Sequence, residues 1–395
     1  MTQSPCQGTN ATPNTGELSS LRVRIDEINS QILSLFEERM QVAGSIAEVK
    51  RAEGRVVTDP ARERQILQNI RSMAQKDMES YATVLFSLLM ELSSAYQGQL
   101  LHPTSPLKER IDTALSETEL LFPPAASVAC QGVEGAYSQL ACEKFFKHPS
   151  ISFFKNFEGV FSAVDAGFCE FGVLPLENSS AGSVSRVYDL MMKYDFHVVR
   201  TCRLKVDHNL LAKPGTSIED IKEVFSHEQA LTQCAGYLES LGNIKVTTVS
   251  NTAEAARTVA QSDRRDIAAL SSRACAELYG LATLARSVND TANNYTRFAC
   301  ISKELKIYPG ADRTSLMMVL PHEPGSLYKI LARFYALDLN LTKLESRPIP
   351  NRDFEFMFYF DFDTPVYAPE FSTLICELGD LCEEFDYLGS YSEMA

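Results

Sequence analysis

Apolar residues recur in alternating steps of four and three along the segment from Leu18 to Lys50. The positions that form this seam are Leu21, Ile25, Ile28, Ile32, Leu35, Val42, Ile46 and Val49. Such spacing predicts one long amphipathic helix that packs along another helix. Arg39 interrupts the seam. Because a buried guanidinium is costly without a partner, Arg39 indicates a buried ion pair, a seam that opens to solvent, or a polar cavity between helices.

The basic residues of this helix favour the polar cavity. Arg39 and Lys50 are eleven residues apart, about three turns and roughly 16 Å along the axis, so both lie on one face. Arg22 precedes Arg39 by seventeen residues, or roughly 25 Å, too far for both to hold one small ligand within one chain. If all three cations serve one anion pocket, a partner subunit supplies one of them. The length of the helix also favours an intertwined dimer.

A second helix is predicted to begin near residue 60. Asp59 is a typical N-cap and Pro60 a typical first helical residue, and the apolar pattern continues to about Met78. Arg62 and Glu63 lie in the first turn of this helix. The sequence therefore places two more charged side chains near the end of the long helix.

A third helix is predicted over about residues 81–101, with Ser93 and Gln97 one turn apart on one face. Taken alone, both side chains are interpreted most simply as surface polarity. Together with the charges before them, however, they complete the pattern L-x-x-L-R…E-E-R…K…D-P-x-R-E followed by S-x-x-x-Q. This pattern resembles the all-helical chorismate mutase family over residues 18–101.

The resemblance implies an intertwined homodimer that rearranges chorismate to prephenate. Carried over by motif, the residues that hold the substrate carboxylates and neighbouring polar groups are Arg22 of the other subunit, Arg39 and Arg62. Lys50 and Gln97 are implied as donors to the ether oxygen. Contacts with the ring hydroxyl and a carboxylate are implied for Asp59, Glu63 and Ser93. A pericyclic reaction needs a restrained conformer and donors at the oxygen where charge develops, so a site without His or Cys suits it.

Beyond a proline-rich linker over residues 103–125, the pattern changes to alternating strands and helices. Polar residues follow two predicted strands, in the segments Glu177-Asn-Ser-Ser-Ala-Gly-Ser183 and Ser226-His-Glu-Gln-Ala-Leu-Thr-Gln233. Ligands bind at such strand ends in open α/β sheets, although each serine alone is also a typical N-cap. We expect a two-lobed α/β unit over residues 126–304.

These two segments and the run Asn294-Tyr-Thr-Arg-Phe298 together resemble the prephenate dehydratase family. The resemblance implies a fold similar to periplasmic binding proteins, with Thr296 as the catalytic hydroxyl and Arg297 as a carboxylate anchor. Prephenate-binding positions in the cleft between the lobes are implied for Glu177, Asn178, Ser179, Ser226 and Gln233. Loss of carbon dioxide and hydroxide aromatises the ring, so no electron-accepting cofactor is expected. Hydrogen-bond donation to the departing hydroxyl and cations for the carboxylates are expected.

From residue 312 onward, the order strand, helix, strand, strand, helix, strand predicts a ferredoxin-like βαββαβ domain. Glu345-Ser-Arg-Pro348 resembles a motif of the ACT family, whose members bind amino-acid effectors. Where that family usually has Gly-Ala-Leu-Val, this chain has Gly325-Ser326-Leu327-Tyr328. The resemblance implies L-phenylalanine as effector, bound near Gly325, Ser326, Leu327, Glu345 and Ser346. A dimerisation domain without a ligand is the alternative.

Composition narrows the function further. The formal net charge of −14 argues against nucleic acid or acidic membranes as partners, and no apolar run is long enough to span a membrane. The ten cysteines are scattered and the six histidines form no metal-ligand spacing, which indicates reduced thiols, a cytoplasmic location and no metal. Residues 1–17 have the composition of a disordered tail.

The order of these segments resembles the bifunctional chorismate mutase–prephenate dehydratase family. The expected domains are a mutase domain at 18–102, a dehydratase domain at 126–304 and an ACT regulatory domain at 312–395, in a homodimer or higher oligomer. We therefore expect chorismate to be converted through prephenate to phenylpyruvate, with inhibition by L-phenylalanine. Two alternatives are a metabolite-sensing regulatory protein and a dehydratase that acts on arogenate, the aminated relative of prephenate.

Overall fold

The computed structural model describes residues 15–53, 60–101, 105–353 and 355–394 of the chain. These residues form two compact units, one ending at Ser105 and the other beginning at Pro106. None of the described helices is long and apolar enough to cross a membrane. The predicted N-cap Asp59 and most of the predicted N-terminal tail lie outside the described residues.

The first unit contains three helices: α1 (Thr15–Glu53), α2 (Pro60–Met73) and α3 (Glu79–Leu101). The long first helix confirms the prediction from the apolar spacing. The second helix ends earlier than predicted, because a turn closed by the Met78 N–H and the Gln75 carbonyl (2.8 Å) leads into α3. α1 packs on α3 through small buried residues, Ala43 and Ala47.

The predicted apolar seam of α1 is not covered within this unit. Its exposed members retain 44–66% of their accessible surface, and they are Leu21, Ile25, Ile32, Leu35, Val42, Ile46 and Val49. α1 instead contacts α3 through the neighbouring face that contains Ala43 and Ala47. The helix prediction is therefore correct, and the packing of its seam against a helix of a partner subunit stays a prediction.

The second unit begins with α4 (Pro106–Glu117) and a first lobe built on one side of a mixed sheet. The strands of this lobe are β1 (Ala125–Gln131), β2 (His148–Phe154), β3 (Phe171–Asn178), β4 (Gly182–Ser183), β5 (His197–Lys205) and β11 (Tyr295–Ser302). Its helices are α5 (Tyr137–Phe145), α6 (Phe157–Asp165) and α7 (Ser185–Met191). The sheet order β5-β11-β3-β1-β2 places β11 beside β3 at its centre.

The second lobe has its own five-stranded sheet, in the order β10-β6-β9-β7-β8. Its strands are β6 (Asn209–Ala212), β7 (Glu223–Ser226), β8 (Lys245–Thr248), β9 (Ile267–Ser271) and β10 (Ala282–Ala285). The helices are α8 (Glu228–Gln233), α9 (Ala235–Ser240), α10 (Thr252–Gln261) and α11 (Arg273–Tyr279), with a 3-10 turn at Ile218–Asp220. The chain crosses between the lobes after β5 and before β11, which confirms the predicted two-lobed architecture.

The C-terminal domain contains β12 (Arg313–Val319), α12 (Ser326–Ala336), β13 (Leu341–Pro348), β14 (Phe356–Phe362), α13 (Pro369–Leu381) and β15 (Glu384–Met394). Its antiparallel strand order is β13-β14-β12-β15. This order is the ferredoxin-like topology that the sequence predicts. The predicted short last strand is instead eleven residues long.

The last strand joins the two sheets of this unit. Its final residues pair in parallel with β5, in the register Ser392↔Arg200 to Met394↔Cys202. Gly389, at φ +136°, permits this junction because an added Cβ would lie 2.3 Å from the Val198 carbonyl oxygen. The C-terminal domain and the first lobe therefore share one continuous sheet.

Part of the predicted linker also belongs to a core. The segment forms α4, whose Ile111 and Ala114 are buried in one apolar cluster with Ile330 and Leu374 of the C-terminal domain. Leu107 and Leu115 of the same helix pack against this cluster, so α4 buries an apolar face although prolines and charged residues dominate the segment.

Candidate active sites

In the helical unit, Arg39 of α1 faces the middle of α3. Its Nη1 atom donates to the Leu89 carbonyl oxygen at 2.6 Å and also to the Ser93 hydroxyl. Ser93 donates in turn to the Leu89 carbonyl oxygen at 2.9 Å. Burial lowers the pKa of Arg39, yet a guanidinium remains charged at any physiological pH. Arg39 is half-buried beside an exposed seam and contacts a carbonyl and a hydroxyl, which favours the open seam or the polar cavity over the buried ion pair.

Gln97 extends this polar patch by one helical turn. Ser93 and Gln97 are buried, with 6% and 8% of their surfaces exposed. The Gln97 Oε1 atom has no hydrogen-bond partner among the described residues. A buried amide without a full set of partners is costly, so this position is suited to a polar ligand atom.

The other predicted mutase residues lie around this patch or apart from it. Lys50 is half-buried at the C-terminal end of α1, and Glu63 is half-buried in the first turn of α2. Arg62 is exposed and donates to Gln65 Oε1 at 2.8 Å. Arg22 is exposed in the N-terminal part of α1. One chain thus brings together Arg39, Ser93 and Gln97 but leaves Arg22 apart from them.

In the second unit, a cleft of about 450 Å³ is lined by residues of both lobes. Its polar lining consists of Gln131, Tyr137, Ser138, Asn178, Ser183, His208, His227, Gln229, Gln233, Ser250, Asn251, Thr252 and Thr296. Three residues predicted from the sequence, Asn178, Gln233 and Thr296, are therefore brought together here.

Thr296 is attached through Asn178 to a ring of three amides, those of Asn178, Asn294 and Gln233. The β3–β11 register places Thr296 opposite Asn178, and Asn178 Nδ2 donates to Thr296 Oγ1 at 3.1 Å. The same amide donates to Asn294 Oδ1 at 2.7 Å, while Asn294 Nδ2 donates to Gln233 Oε1 at 2.9 Å. Gln233 Nε2 closes the ring by donating to Asn178 Oδ1 at 3.3 Å. Because Thr296 accepts a hydrogen bond, its own proton is free to point toward a ligand.

His208 belongs to this network, although the sequence analysis did not single it out. Its Nε2 atom lies 3.2 Å from Gln233 Oε1, and its buried Nδ1 atom has no partner among the described residues. Burial lowers the pKa of His208, so the imidazole is neutral at physiological pH. A single histidine after a predicted strand gave no signal that could distinguish it from an ordinary core residue.

Arg297 does not line the cleft that contains Thr296, but it lines a neighbouring cavity of about 650 Å³ together with Glu177, Asn178 and Ser179, and its role as a carboxylate anchor stays a prediction. Successive residues of a strand point to opposite faces, so Thr296 faces the cleft and Arg297 faces the C-terminal domain. The Arg297 guanidinium is buried and donates to Asp361 Oδ2 at 2.8 Å and to the Tyr391 hydroxyl at 3.1 Å. Burial opposes the charge, but the neighbouring Tyr391, Asp361 and Glu393 outweigh it and raise the pKa of Arg297.

Three more predicted residues do not line the cleft. Glu177 lies beside Arg297, 3.4 Å from its Nη1 atom, and points away from Thr296. Ser179 accepts from the Tyr295 N–H at 2.9 Å and donates to the Asn293 carbonyl at 3.0 Å, outside the cleft. Ser226 is fully buried and donates to the Leu270 carbonyl at 2.7 Å. Ser226 therefore serves the fold, whereas the substrate contacts predicted for Glu177 and Ser179 stay predictions.

The electrostatics of the cleft also differ from expectation. Its described lining includes neither lysine nor arginine, whereas cations were expected for the carboxylates. Several helices begin at the cleft instead, among them α5 at Tyr137 and α10 at Thr252, whose N-cap Asn251 accepts from the Glu254 N–H at 2.8 Å. The unpaired N–H groups and the positive dipole end of a helix N-terminus favour anions. The cleft thus offers neutral donors to an anionic ligand.

A second cavity of about 340 Å³ lies in the C-terminal domain. Its lining includes Ser326 and Leu327 of α12 and the side chains of Phe356 and Phe358. Gly325 precedes α12 at φ +95°, a conformation that suits glycine. Ser346 is exposed and pairs in register with Phe358.

Glu345 does not line this cavity, and its predicted contact with the effector stays a prediction. Strand β13 alternates, and the Glu345 carboxylate accepts from the Ser183 hydroxyl of the first lobe at 2.7 Å. The motif that indicated an effector site therefore supplies one side chain to the interface with the first lobe.

Sequence comparisons agree with the two units. The family model of type II chorismate mutase matches residues 21–98, and that of prephenate dehydratase matches residues 128–306. An arogenate dehydratase/prephenate dehydratase of Arabidopsis thaliana is 38% identical over 67% of this chain and 72% of its own length. The bifunctional chorismate mutase/prephenate dehydratase of Escherichia coli is 30% identical over 95% of this chain and 96% of its own length.

Among solved structures, the prephenate dehydratase of Arthrobacter aurescens in complex with L-Phe is similar, with a TM-score of 0.62 and 25% identity. The match covers 67% of this chain and 89% of that one. Both domain matches, their order and the similarity over nearly the whole length point the same way: the chain belongs to the family of bifunctional chorismate mutase/prephenate dehydratases.

Proposed function

We propose that the chain converts chorismate to prephenate in its helical unit and prephenate to phenylpyruvate in the cleft of its second unit. One observation carries the second activity: the Thr296 hydroxyl lies in a two-lobed cleft, held by the Asn178 amide at 3.1 Å. The similarity to the bifunctional relative over 95% of the chain supports the first.

The mutase reaction depends on conformational restraint and charge stabilisation. A Claisen rearrangement breaks the ether C–O bond as a new C–C bond forms, without a proton transfer. Arg39 is fixed by Leu89 and Ser93, so its remaining N–H groups are preorganised toward an anionic substrate. The family resemblance assigns Gln97 to the ether oxygen, where negative charge develops, and the amide can fill this role only through its Nε2 N–H groups.

In the dehydratase reaction, the bond from the ring to the lost carboxylate breaks and its electron pair flows through the ring. Hydroxide leaves from the opposite ring carbon, takes up a proton and departs as water, and phenylpyruvate and carbon dioxide are the other products. Thr296 donates a hydrogen bond to the departing hydroxyl, because its oxygen is oriented by Asn178. The chemistry needs no electron-accepting cofactor.

A cleft lined by neutral donors suits this decarboxylation. The carboxylate that leaves carries full charge in the ground state and loses it as carbon dioxide forms. A fixed cation at that position would stabilise the ground state more than the transition state. The N-termini of α5 and α10 carry only a partial positive charge, so they can hold the substrate carboxylates while stabilising the ground state less than a full cation would.

Product formation from prephenate separates this proposal from the sensing alternative. The purified chain is supplied with prephenate, and both binding heat and phenylpyruvate are measured. Turnover with release of phenylpyruvate is expected. Binding without product would contradict the dehydratase proposal and favour the sensor.

Arogenate is a second candidate substrate, since the plant relative is named for both dehydratase activities. Arogenate carries an amine where prephenate has a keto group. We favour prephenate, because the same chain contains a unit that makes it. The ratio of kcat/KM for the two purified substrates tests this preference, and a higher value for arogenate would contradict it.

We also propose that the C-terminal domain is an ACT domain that binds L-phenylalanine at the cavity formed by Ser326, Leu327, Phe356 and Phe358. The aromatic side chains suit a phenyl ring, and the positive dipole end at the N-terminus of α12 suits a carboxylate. The L-Phe complex of the Arthrobacter aurescens structure supports the ligand. Binding there is proposed to inhibit the dehydratase.

The working enzyme is proposed to be a homodimer or a higher oligomer, in which Arg22 reaches the mutase pocket of a partner subunit. The exposed seam of α1 supports this assembly, because water-exposed aliphatic side chains at this density favour association. A cytoplasmic location is proposed as well. None of the nine cysteines in the described part of the chain forms a disulfide, as is usual in a reducing compartment.

A further inference from the structure

Strand β13 of the C-terminal domain presents three charged side chains to the first lobe. Lys343, Glu345 and Arg347 alternate along the strand, and each contacts a residue of that lobe. Thr342 and Ser346, between and beside them, are exposed. The three residues differ in whether their partners in the first lobe line the dehydratase cleft.

Lys343 contacts a residue that lines the dehydratase cleft. Its Nζ atom donates to Glu177 Oε2 at 2.7 Å and to the Ser183 hydroxyl at 2.9 Å. Ser183 lines the cleft, and its hydroxyl donates onward to Glu345 Oε2 at 2.7 Å. Only 12% of the Lys343 side chain is exposed, so this ammonium is held in one place.

Glu177 extends the cluster to both strands that carry the amide network. It directly precedes Asn178 on β3, and its Oε1 atom accepts from Arg297, which directly follows Thr296 on β11. Burial alone would raise the pKa of Glu177, but the hydrogen bond and charge of Lys343 and the charge of Arg297 lower it. Glu177 is therefore a carboxylate that joins two cations.

Arg347 provides the contrast. Its guanidinium donates to Asp189 Oδ1 at 2.8 and 3.0 Å. Asp189 lies on α7 and is absent from the cleft lining. Arg347 thus attaches the same strand to the same lobe without contacting a residue of the cleft.

We propose that Lys343, although it belongs to the C-terminal domain, is a positioning residue for the dehydratase cleft: together with Glu345 it fixes Ser183, and through Glu177 it sets the strands that carry Asn178 and Thr296. The inference rests on the proposed dehydratase function. It assigns Glu177 a role between domains in place of substrate binding. It also makes catalytic competence depend on the placement of β13.

Two matched variants test the proposal in the full-length chain. Lys343→Met and Arg347→Met each remove one cation of β13 that pairs with one carboxylate of the first lobe. We expect Lys343→Met to lower kcat/KM for prephenate at least tenfold and Arg347→Met to change it less than threefold. Chorismate turnover by the same preparations should be unchanged. Lys343→Arg, which keeps a cation at the end of a long side chain, should restore part of the loss.

Three results would overturn the proposal. Equal losses in the two Met variants would mean that β13 only attaches the domains. A wild-type rate in Lys343→Met would mean that its contacts do not matter, and failure of Lys343→Arg to recover activity would argue against the charge. Should Lys343→Met not fold, Lys343→Gln against Arg347→Gln gives the same comparison, because each variant removes one cation and keeps a polar side chain. A wild-type chain that does not convert prephenate refutes the proposed function instead.

Discussion

The Thr296 hydroxyl has the environment of a donor to a leaving group. It accepts a hydrogen bond from Asn178, whose amide is held by Asn294 and Gln233. Because the Thr296 oxygen accepts a hydrogen bond from a fixed amide, the hydroxyl is held in one orientation and its proton points away from that amide. A donor that is already oriented needs little reorganisation in the transition state. The adjoining residue, Arg297, has the opposite environment, with its charge matched by carboxylates of the neighbouring domain.

The buried histidine of the same network predicts a pH-dependent stability. Burial lowers the pKa of His208 in the folded chain, while an unfolded histidine titrates near about 6.5. Below that value the unfolded state binds more protons, so the free energy of unfolding decreases as the pH falls through about 6.5. His208→Gln should reduce this dependence, as measured by thermal denaturation between about pH 8 and pH 5.

His197 serves as the comparison, because burial lowers its pKa too and it lies outside the cleft. Part of the pH dependence should therefore remain in His208→Gln. An unchanged slope in that variant would show that His208 is not held neutral by the fold.

At the scale of elements, the sequence predicted the features that depend only on residues close together in the chain. The spacing of apolar residues predicts helix α1. The βαββαβ order is predicted because the period of the apolar residues changes between that of a strand and that of a helix along the chain. The orientation of β13 toward the first lobe and the extension of β15 into its sheet depend on tertiary contacts such as Gly389 against Val198. Sequence motifs therefore located Glu345 on the correct strand but could not show which domain its carboxylate contacts.

The pairing of α1 with α3 predicts a selective loss of mutase activity. Arg39→Met removes the guanidinium that donates to Leu89 and Ser93, and leaves no carboxylate unpaired. Chorismate turnover should decrease about 100-fold or more, as for removal of one preorganised donor. Prephenate turnover by the same sample should be unchanged. A parallel decrease in both rates would indicate a folding defect instead.

The cavity beside α12 predicts a variant that is insensitive to effector. Ser326→Phe places a large side chain in the cavity lined by Leu327 and Phe358. The concentration of L-phenylalanine that halves prephenate turnover should rise at least tenfold, while turnover without effector stays near wild type. Tyr335→Ala, at an 87% exposed position of the same helix, is the control. Unchanged inhibition of Ser326→Phe would reject the cavity as the effector site.

At the scale of the whole molecule, the exposed seam of α1 is the feature that one chain leaves unexplained. Leu35 retains 66% of its surface, and Arg22 lies apart from the other mutase residues. Both facts are explained if a second copy covers the seam. Sequence alone predicted this, because the distance between Arg22 and Arg39 along one helix is fixed by the rise per residue.

Leu35→Glu should therefore weaken the assembly and the mutase together. Placing a charge in an apolar interface costs several kcal/mol. This cost is on the order of the difference in binding free energy between a nanomolar and a micromolar Kd. Light scattering should show a smaller species, with loss of chorismate turnover. Glu38→Gln, on the exposed surface of the same helix, is the control. A variant with wild-type mass and reduced turnover would contradict the link between the two.

The most direct test follows chorismate through both reactions. Purified wild-type chain and Thr296→Ala are each supplied with chorismate, and chorismate loss, prephenate and phenylpyruvate are measured separately. We predict phenylpyruvate from the wild type, and prephenate that accumulates at an unchanged rate in the variant. If the wild type consumes no chorismate, the helical unit is not a mutase. If Thr296→Ala still forms phenylpyruvate at the wild-type rate, the cleft does not act through this hydroxyl.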